Sequence, residues 1–427
     1  MTAPAVKGWC PGALRPMESG DGMIVRLKLT GGIVPLDLAA KIADWSRHFG
    51  NGEIDLTARA NLQIRGVTDA TLPGLQDAIA EAGLLDDNPD GEAIRNVIAS
   101  PLAGLDADAL LDIRSTVAAL EARLAGDPRL YPLPAKVCFL VDDGGRLGLG
   151  NVRADVRFEA VAGPVFAVRL DGAPDDVLGP CRLEEVPDVA ARLAGAFLAT
   201  HGDARRMRDL VGRVGAAAIA GEASFPLFRH SREGGNPLPA SAHMDGWIPA
   251  FAGMTPGVIG VGLPFGRVSA GNLQYLAQQA VQAGAIEFRL TPWRAILVPC
   301  SSQETAEQLV QNLPPDAFIL DQADPRRRVA ACVGAPACGR ATTDVRKDAG
   351  RLASLVPETR FLHLSGCAKG CAHPRPAPIT LVGNQGRYDL IREGAPSDSP
   401  LREGLTLDEA ASYLRQMAAT QTRGQAS

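Results

Sequence analysis

Along residues 23–67 the hydrophobic period changes twice. Residues 23–29 (MIVRLKL) read as a short strand, broken by Gly31-Gly32. Residues 35–49 then carry Leu36, Ala39, Ile42 and Ala43 on one stripe, with Pro at the start and Gly50-Asn51-Gly52 at the end, which predicts a helix. Residues 53–67 (EIDLTARANLQIRGV) alternate with period two. Ile54, Leu56, Ala58, Ala60, Leu62 and Ile64 share one parity; Asp55, Thr57, Arg59, Asn61, Gln63 and Arg65 share the other. This pattern predicts one long strand with a polar face. A second helix is expected over residues 72–82, and the strand–helix–strand–helix order gives an α+β unit.

The unit recurs. An ungapped shift of 234 positions lays Gly32 on Gly266, Val34 on Val268, Ala43 on Ala277, Gly50 on Gly284, Glu53 on Glu287, Leu56 on Leu290 and Thr57 on Thr291. The apolar parity survives the shift, with Ile296 and Val298 in place of Leu62 and Ile64. The polar parity does not: Arg59, Asn61 and Gln63 become Trp293, Ala295 and Leu297. An internal duplication in which one copy keeps a ligand-facing polar strand accounts for both observations. Between the copies, residues 225–256 are rich in Pro and Gly, hold neither period, and read as an inserted loop of no function in the site, with a lid over the site as the alternative. The segment after Thr420 is polar and is expected to fray.

Composition narrows the class. A chain of 427 residues with 46% hydrophobic and 21% charged residues is globular and long enough for several domains. Its 43 basic and 48 acidic residues leave a formal charge of −5, which gives no reason to expect nucleic acid as a partner. No apolar run reaches the roughly 18 residues of a spanning helix, and the first residues, MTAPAVKGWCPG, have no apolar signal core. A cytoplasmic protein with no membrane partner is therefore expected. There, eight cysteines argue for metal ligands or reactive thiols over a disulfide framework.

Four of those cysteines form two close pairs in small-residue loops. Cys332 and Cys338 flank VGAPA; Cys367 and Cys371 flank AKG. Four thiolates match the ligand count of a [4Fe–4S] cluster, and small residues let a loop wrap it and aim N–H groups at sulfur. Zinc prefers shorter gaps than the five residues of the first pair. A catalytic thiol with His363 or His373 as base would leave three cysteines unexplained. Each histidine can equally be a loop residue bonded to backbone, and Cys10 reads as a free thiol.

The C-x5-C…C-x3-C pattern resembles the cluster motif of the sirohaem-dependent sulfite and nitrite reductase superfamily. LTARANLQIRGV is similar to that family's T-x-R-x-x-x-Q strand (Thr57, Arg59, Gln63), IRNVIASPLAG to its R-N-V segment (Arg95, Asn96), and LPAKV to its L-P-x-K segment (Lys136). The resemblance implies an internally duplicated sulfite/nitrite reductase-like α+β fold. Its parts would be a ferredoxin-like half-repeat at 1–82, a first substrate-binding module at 83–224, the insert at 225–256, a second half-repeat at 257–320, and a [4Fe–4S]-binding module at 321–427. It also implies Cys332, Cys338, Cys367 and Cys371 as metal ligands.

One departure redirects the functional expectation. Where the reductases carry a second lysine two residues after the first, this chain has Cys138, and an oxyanion needs several cationic donors. GWCPGALRPMESGDG, RANLQIRGV and GCAKGCAHPRP instead resemble the branch of the superfamily that hydroxylates precorrin-3A at C20 with O2 and forms a γ-lactone, giving precorrin-3B in aerobic cobalamin biosynthesis. There the tetrapyrrole is substrate. Thr57, Arg59, Asn61, Gln63 and Arg65, at roughly 7 Å intervals along the strand, are then the expected substrate-binding donors, with Arg95 and Lys136 adding two more, matched to peripheral carboxylates. No G-x-G-x-x-G follows a strand, so NADH-derived electrons are expected through a separate donor protein. A mononuclear non-haem iron held partly by substrate would offer O2 a site, although no two-histidine, one-carboxylate pattern is visible. Two other readings stand beside this one: a sirohaem sulfite or nitrite reductase, and a non-catalytic tetrapyrrole carrier with a structural cluster.

Overall fold

A computed structural model of the chain describes residues 9–161, 163–226 and 257–424. The insert expected over 225–256 lies outside the described residues except for its ends. The helix Leu407–Gly424 runs past Thr420, where the polar composition predicts fraying.

Two sheets share the first core. One is ordered Met17–Ser19, Gly22–Leu27, Leu62–Val67, Glu53–Leu56, Arg267–Ser269; the other Val258–Gly262, Ala295–Pro299, Glu287–Leu290, Ile33–Pro35. Each repeat therefore lends its short strand to the sheet of the other. Ile33 pairs with Arg289 and Arg267 with Asp55, positions that the 234-residue shift interchanges. The helices Leu36–Phe49 and Ala270–Gln282 bury Ile42, Ala43, Leu276 and Ala277 in one core common to both sheets. The duplication expected from the sequence is thus a reciprocal exchange, and neither half closes its sheet alone.

The long strand predicted over residues 53–67 is instead a hairpin. Glu53–Leu56 and Leu62–Val67 pair antiparallel, with Ile54 opposite Ile64, Asp55 opposite Gln63 and Leu56 opposite Leu62. Paired positions have the same parity, so the apolar alternation passes through the turn uninterrupted, and the sequence cannot tell the two arrangements apart. Thr57 holds the turn. Its hydroxyl accepts from the N–H of Arg59 and of Asn61, each at 3.2 Å, and Ala60 adopts φ +54°. Thr291 and Arg294 (φ +62°) repeat this turn in the second copy.

Two further sheets have one topology. Val97–Ala99, Phe139–Asp142, Val156–Ala160, Val165–Leu170 and Ala173–Arg182 pair in that order as parallel, parallel, antiparallel, antiparallel. Val329–Ala331, Leu362–Ser365, Ala377–Asn384, Arg387–Gly394 and Arg402–Leu405 do the same. Helices Arg114–Ala125 and Val186–Thr200 cover the first of these sheets, and Val345–Leu352 and Leu407–Gly424 the second. In both sheets the first two strands are parallel neighbours, so their C-terminal ends open on the same edge. Loops that leave there can share a ligand. Among the described residues no helix is long and apolar enough to cross a membrane.

Candidate metal centre and substrate cleft

The cysteine loops leave that shared edge. Cys332 directly follows Val329–Ala331, and Cys367 follows Leu362–Ser365 by one residue. Ala331 lies opposite Leu364 and the Cys332 N–H donates to the Leu364 carbonyl at 3.2 Å, so the two loops start side by side. The Gly366 N–H donates to Cys332 Sγ at 3.1 Å, and Gly334 (φ +74°) turns its own N–H toward the same sulfur. Burial raises the Cys332 thiol, those N–H groups oppose it, and Cys338 and Cys367 raise it further. Cys371, also raised by burial, feels Lys369 and the other three thiols. Cys371 thus lies in electrostatic reach of the other three sulfurs.

Four free thiols on two adjoining loops have the donor chemistry of an iron–sulfur site. Among the described residues no three His, Cys, Asp or Glu side chains gather as they would around a single metal. A tetrahedral zinc draws its sulfurs to about 2.3 Å from one point; a cubane holds them further apart. Two N–H groups on one sulfur suit a thiolate, whose charge they stabilise.

The neighbouring histidines divide. His373 packs on Phe361 (5.1 Å between centroids) and bonds the backbone at Pro376, the loop role that its position suggests. His363 departs from that role. It is 0% exposed, neither ring nitrogen has a partner, and burial together with nearby His373 lowers its pKa to about 4. It is therefore neutral at pH 7.

The expected substrate residues separate into two sets. Arg59 and Lys136 meet at one place: Arg59 Nη2 donates to the Lys136 carbonyl at 2.6 Å, with Lys136 exposed and Arg59 half-buried. Gln63, with its amide oxygen turned to Arg26, accepts from Nε at 3.1 Å and Nη2 at 2.9 Å. Thr57 and Asn61 belong to the turn, with Asn61 buried.

Arg65 and Arg95 do not face an open cleft. Arg65 is 1% exposed. Its guanidinium bonds Asp21 (2.9 and 2.7 Å), Asp55 (3.3 Å), Ser19 Oγ (3.0 Å) and the Ala337 carbonyl (3.2 Å). Arg95 is held by Asp86 (2.9 and 2.7 Å) and Glu121 (2.9 Å). Burial pulls the Arg95 pKa down, but those carboxylates outweigh it and hold it above its usual value. The even polar spacing of residues 55–65 therefore does not become an even row of free donors, because the turn takes Thr57 and Asn61 and the ion pairs take Asp55 and Arg65.

Other residues escaped the sequence reading. Arg26 and Lys28 project from the Gly22–Leu27 strand and its end beside Gln63 and Arg95. Their alternation, R-x-K, was the available signal. The Lys28 ammonium donates to the carbonyls of Glu92 and Ala93. Burial, Arg95 and Arg26 lower its pKa to about 7. Lys28 and Glu92 border a small cleft with Trp9, Cys10 and Arg15. Cys10, read as a free thiol, hydrogen-bonds Arg26. Cys138 is 1% exposed in an apolar cluster with Ile98, Leu140 and Leu149, and burial pushes its thiol up, so this position contributes no cation.

A buried carboxylate ties these parts together. Asp55 accepts from Arg267 (2.8 and 3.1 Å), Arg346 (2.7 Å) and Arg65 (3.3 Å). Burial would raise its carboxyl, yet the three guanidiniums hold it well below the usual carboxylate range. These partners come from both repeats and from the helix Val345–Leu352 that covers the sheet of the cysteine loops.

A model of the nitrite/sulfite reductase ferredoxin-like half domain matches residues 15–82. A precorrin-3B synthase from Sinorhizobium sp is 36% identical over 404 residues, 92% of this chain and 84% of that protein. A ferredoxin–nitrite reductase from Synechococcus elongatus is 27% identical, over 88% of this chain and 78% of its own length. The solved structure of Mycobacterium tuberculosis NirA protein superposes with a TM-score of 0.73 over 93% of this chain and 80% of that one, at 22% identity, and so shares the fold. With this fold, these cysteine loops and that identity, the chain belongs to the precorrin-3B synthase family, within the proteins built on the nitrite/sulfite reductase half domain.

Proposed function

We propose that the protein is an oxygen-dependent monooxygenase that converts precorrin-3A to precorrin-3B, by C20 hydroxylation with γ-lactone formation, in the cytoplasm. The observation that carries this reading is the 36% identity to a precorrin-3B synthase along nearly the whole chain. The buried thiol of Cys138 supports it, because no cation stands there for an inorganic oxyanion.

Cys332, Cys338, Cys367 and Cys371 would hold a [4Fe–4S] cluster, which supplies electrons one at a time when bound. The half-buried Arg59 and the exposed Lys136 present cations to the substrate carboxylates, and Arg26 orients Gln63. Arg95, neutralised by Asp86 and Glu121, fixes the wall behind Lys28. The Lys28 ammonium can hold or release a proton near neutral pH. Electrons would come from a separate NADH-dependent protein. A mononuclear iron would take most of its ligands from substrate and solvent, since no three protein donors gather around one point among the described residues.

The second reading, a sirohaem-dependent reductase, draws on the 27% identity to a nitrite reductase. Purification under nitrogen decides between them. Cluster absorption without extractable sirohaem, and a gain of one oxygen atom by precorrin-3A under O2 and a reductant, support the synthase. Extractable sirohaem refutes it. Tight binding of precorrin-3A without added oxygen leaves only a carrier.

A further inference from the structure

We infer that the tip of the N-terminal hairpin, residues 19–22, is a clamp that positions Cys338 for the cluster, with Arg65 as its anchor. The inference rests on the reading of the four cysteines as cluster ligands. The carbonyl of Ala337, the residue before Cys338, receives three donors: Ser19 Oγ at 2.6 Å, the Gly20 N–H at 3.1 Å and Arg65 Nη2 at 3.2 Å. A peptide oxygen has two good lone-pair directions, so three donors leave that peptide little freedom to rotate.

The anchor is itself fixed. Asp21, in the same hairpin tip, grips the Arg65 guanidinium through both carboxylate oxygens, and Asp55 takes a third edge. Planar two-point contact sets the direction of the remaining N–H toward Ala337. Gly20 presses flat on the cysteine loop, where a Cβ would collide with the Pro336 carbonyl oxygen and come within 2.9 Å of the Gly339 nitrogen. The contacts therefore fall on both sides of Cys338.

A single ligand loop bonded only to itself would not need such contacts. Cys332 already has two N–H groups on its sulfur, whereas the Cys338 loop is oriented from outside, by a hairpin about 320 residues earlier in the chain. The same hairpin continues through Gly22–Leu27 to Arg26 and Lys28. One strand thus connects the cluster loop with the substrate cleft.

The test compares cluster and fold separately. S19A removes one donor with no buried charge left over; R65M removes another, and G20A adds the colliding carbon. The wild type, S19A, R65M and G20A are purified anaerobically as full chains. Iron content, the electron paramagnetic signal of the reduced cluster, and its bleaching rate in air are measured. Melting of the cluster-free form of each reports the fold. The clamp predicts that S19A keeps the cluster-free melting temperature but binds iron about tenfold more weakly, the low end for losing a partner of a metal ligand, and bleaches faster, with a shifted signal. S19T, which keeps the hydroxyl, restores all three. Unchanged bleaching and signal in S19A and G20A, with iron bound, overturn the clamp. So does a change in R65M that its cluster-free melting fully accounts for. A wild type without iron fails the ligand reading itself, a result distinct from either.

Discussion

Replacing Asp55 by Asn removes one negative charge from among three buried guanidiniums while preserving the shape of the side chain. Arg346 loses its carboxylate, Arg267 keeps only Glu53 at 3.6 Å, and of its two carboxylates Arg65 keeps Asp21. Breaking a buried ion pair from one side costs about 3–5 kcal/mol, because the stranded charge remains desolvated. The amide oxygen of Asn can still accept one hydrogen bond, which places the expected loss near about 3 kcal/mol. The exposed pair Arg123–Asp188 supplies the control, for which D188N should cost below about 1 kcal/mol.

The pH dependence follows from the sign of the Asp55 shift. Its folded-state pKa is depressed, so its contribution is fully present above the unfolded value near 3.9 and is lost as pH falls through the folded one. The difference between wild type and D55N should hold steady from neutral pH to about pH 5 and shrink below about pH 4. Anaerobic urea titrations of both proteins at neutral and acidic pH measure it. A loss below about 1 kcal/mol, or a difference that does not shrink in acid, would refute the three-arginine hub.

Three further outcomes are expected. C367S and C371S should each lose the cluster absorption and most bound iron; unchanged iron by elemental analysis would remove that residue from the ligand set. R59A should weaken precorrin-3A binding by roughly 1–3 kcal/mol in a fluorescence titration, the range for a charge-assisted hydrogen bond, and unchanged affinity would leave Arg59 only its contact with the Lys136 carbonyl. Lys28 has its pKa lowered from 10.5 to about 7, so the folded state carries a penalty while the ammonium is charged. Wild-type stability should therefore rise with pH from about 7 to about 9, and K28M should flatten the rise; equal slopes in the two urea series would contradict the shift.

The two kinds of signal in the sequence fared differently for physical reasons. The cysteine pairs are local in sequence because each follows the end of a strand, and the two strands are parallel neighbours. Their loops meet without any long-range information. The duplication was legible because both copies repeat a helix stripe, a glycine stop and a strand pair. The hairpin at residues 57–61 was hidden, since pairing of like parity preserves the alternation through the turn. Alternation also gives a face without saying what covers it. Arg65 was expected to meet substrate because it lies on the polar parity, but the segment that carries the cysteine loops closes over that position through Ala337 and Arg346. Arg95 met Asp86 and Glu121, partners at ordinary loop and helix positions with no motif to mark them. The exchange of short strands between repeats depends on distant pairing alone, which no local period records.

The most direct test of the central claim is isotopic. The anaerobically purified protein, given precorrin-3A, a reductant and ¹⁸O-labelled O2, should release a tetrapyrrole carrying one labelled oxygen atom, read by mass spectrometry. A product with unlabelled added oxygen, or precorrin-3A recovered unchanged from a protein that binds it and holds its cluster, would contradict the monooxygenase account.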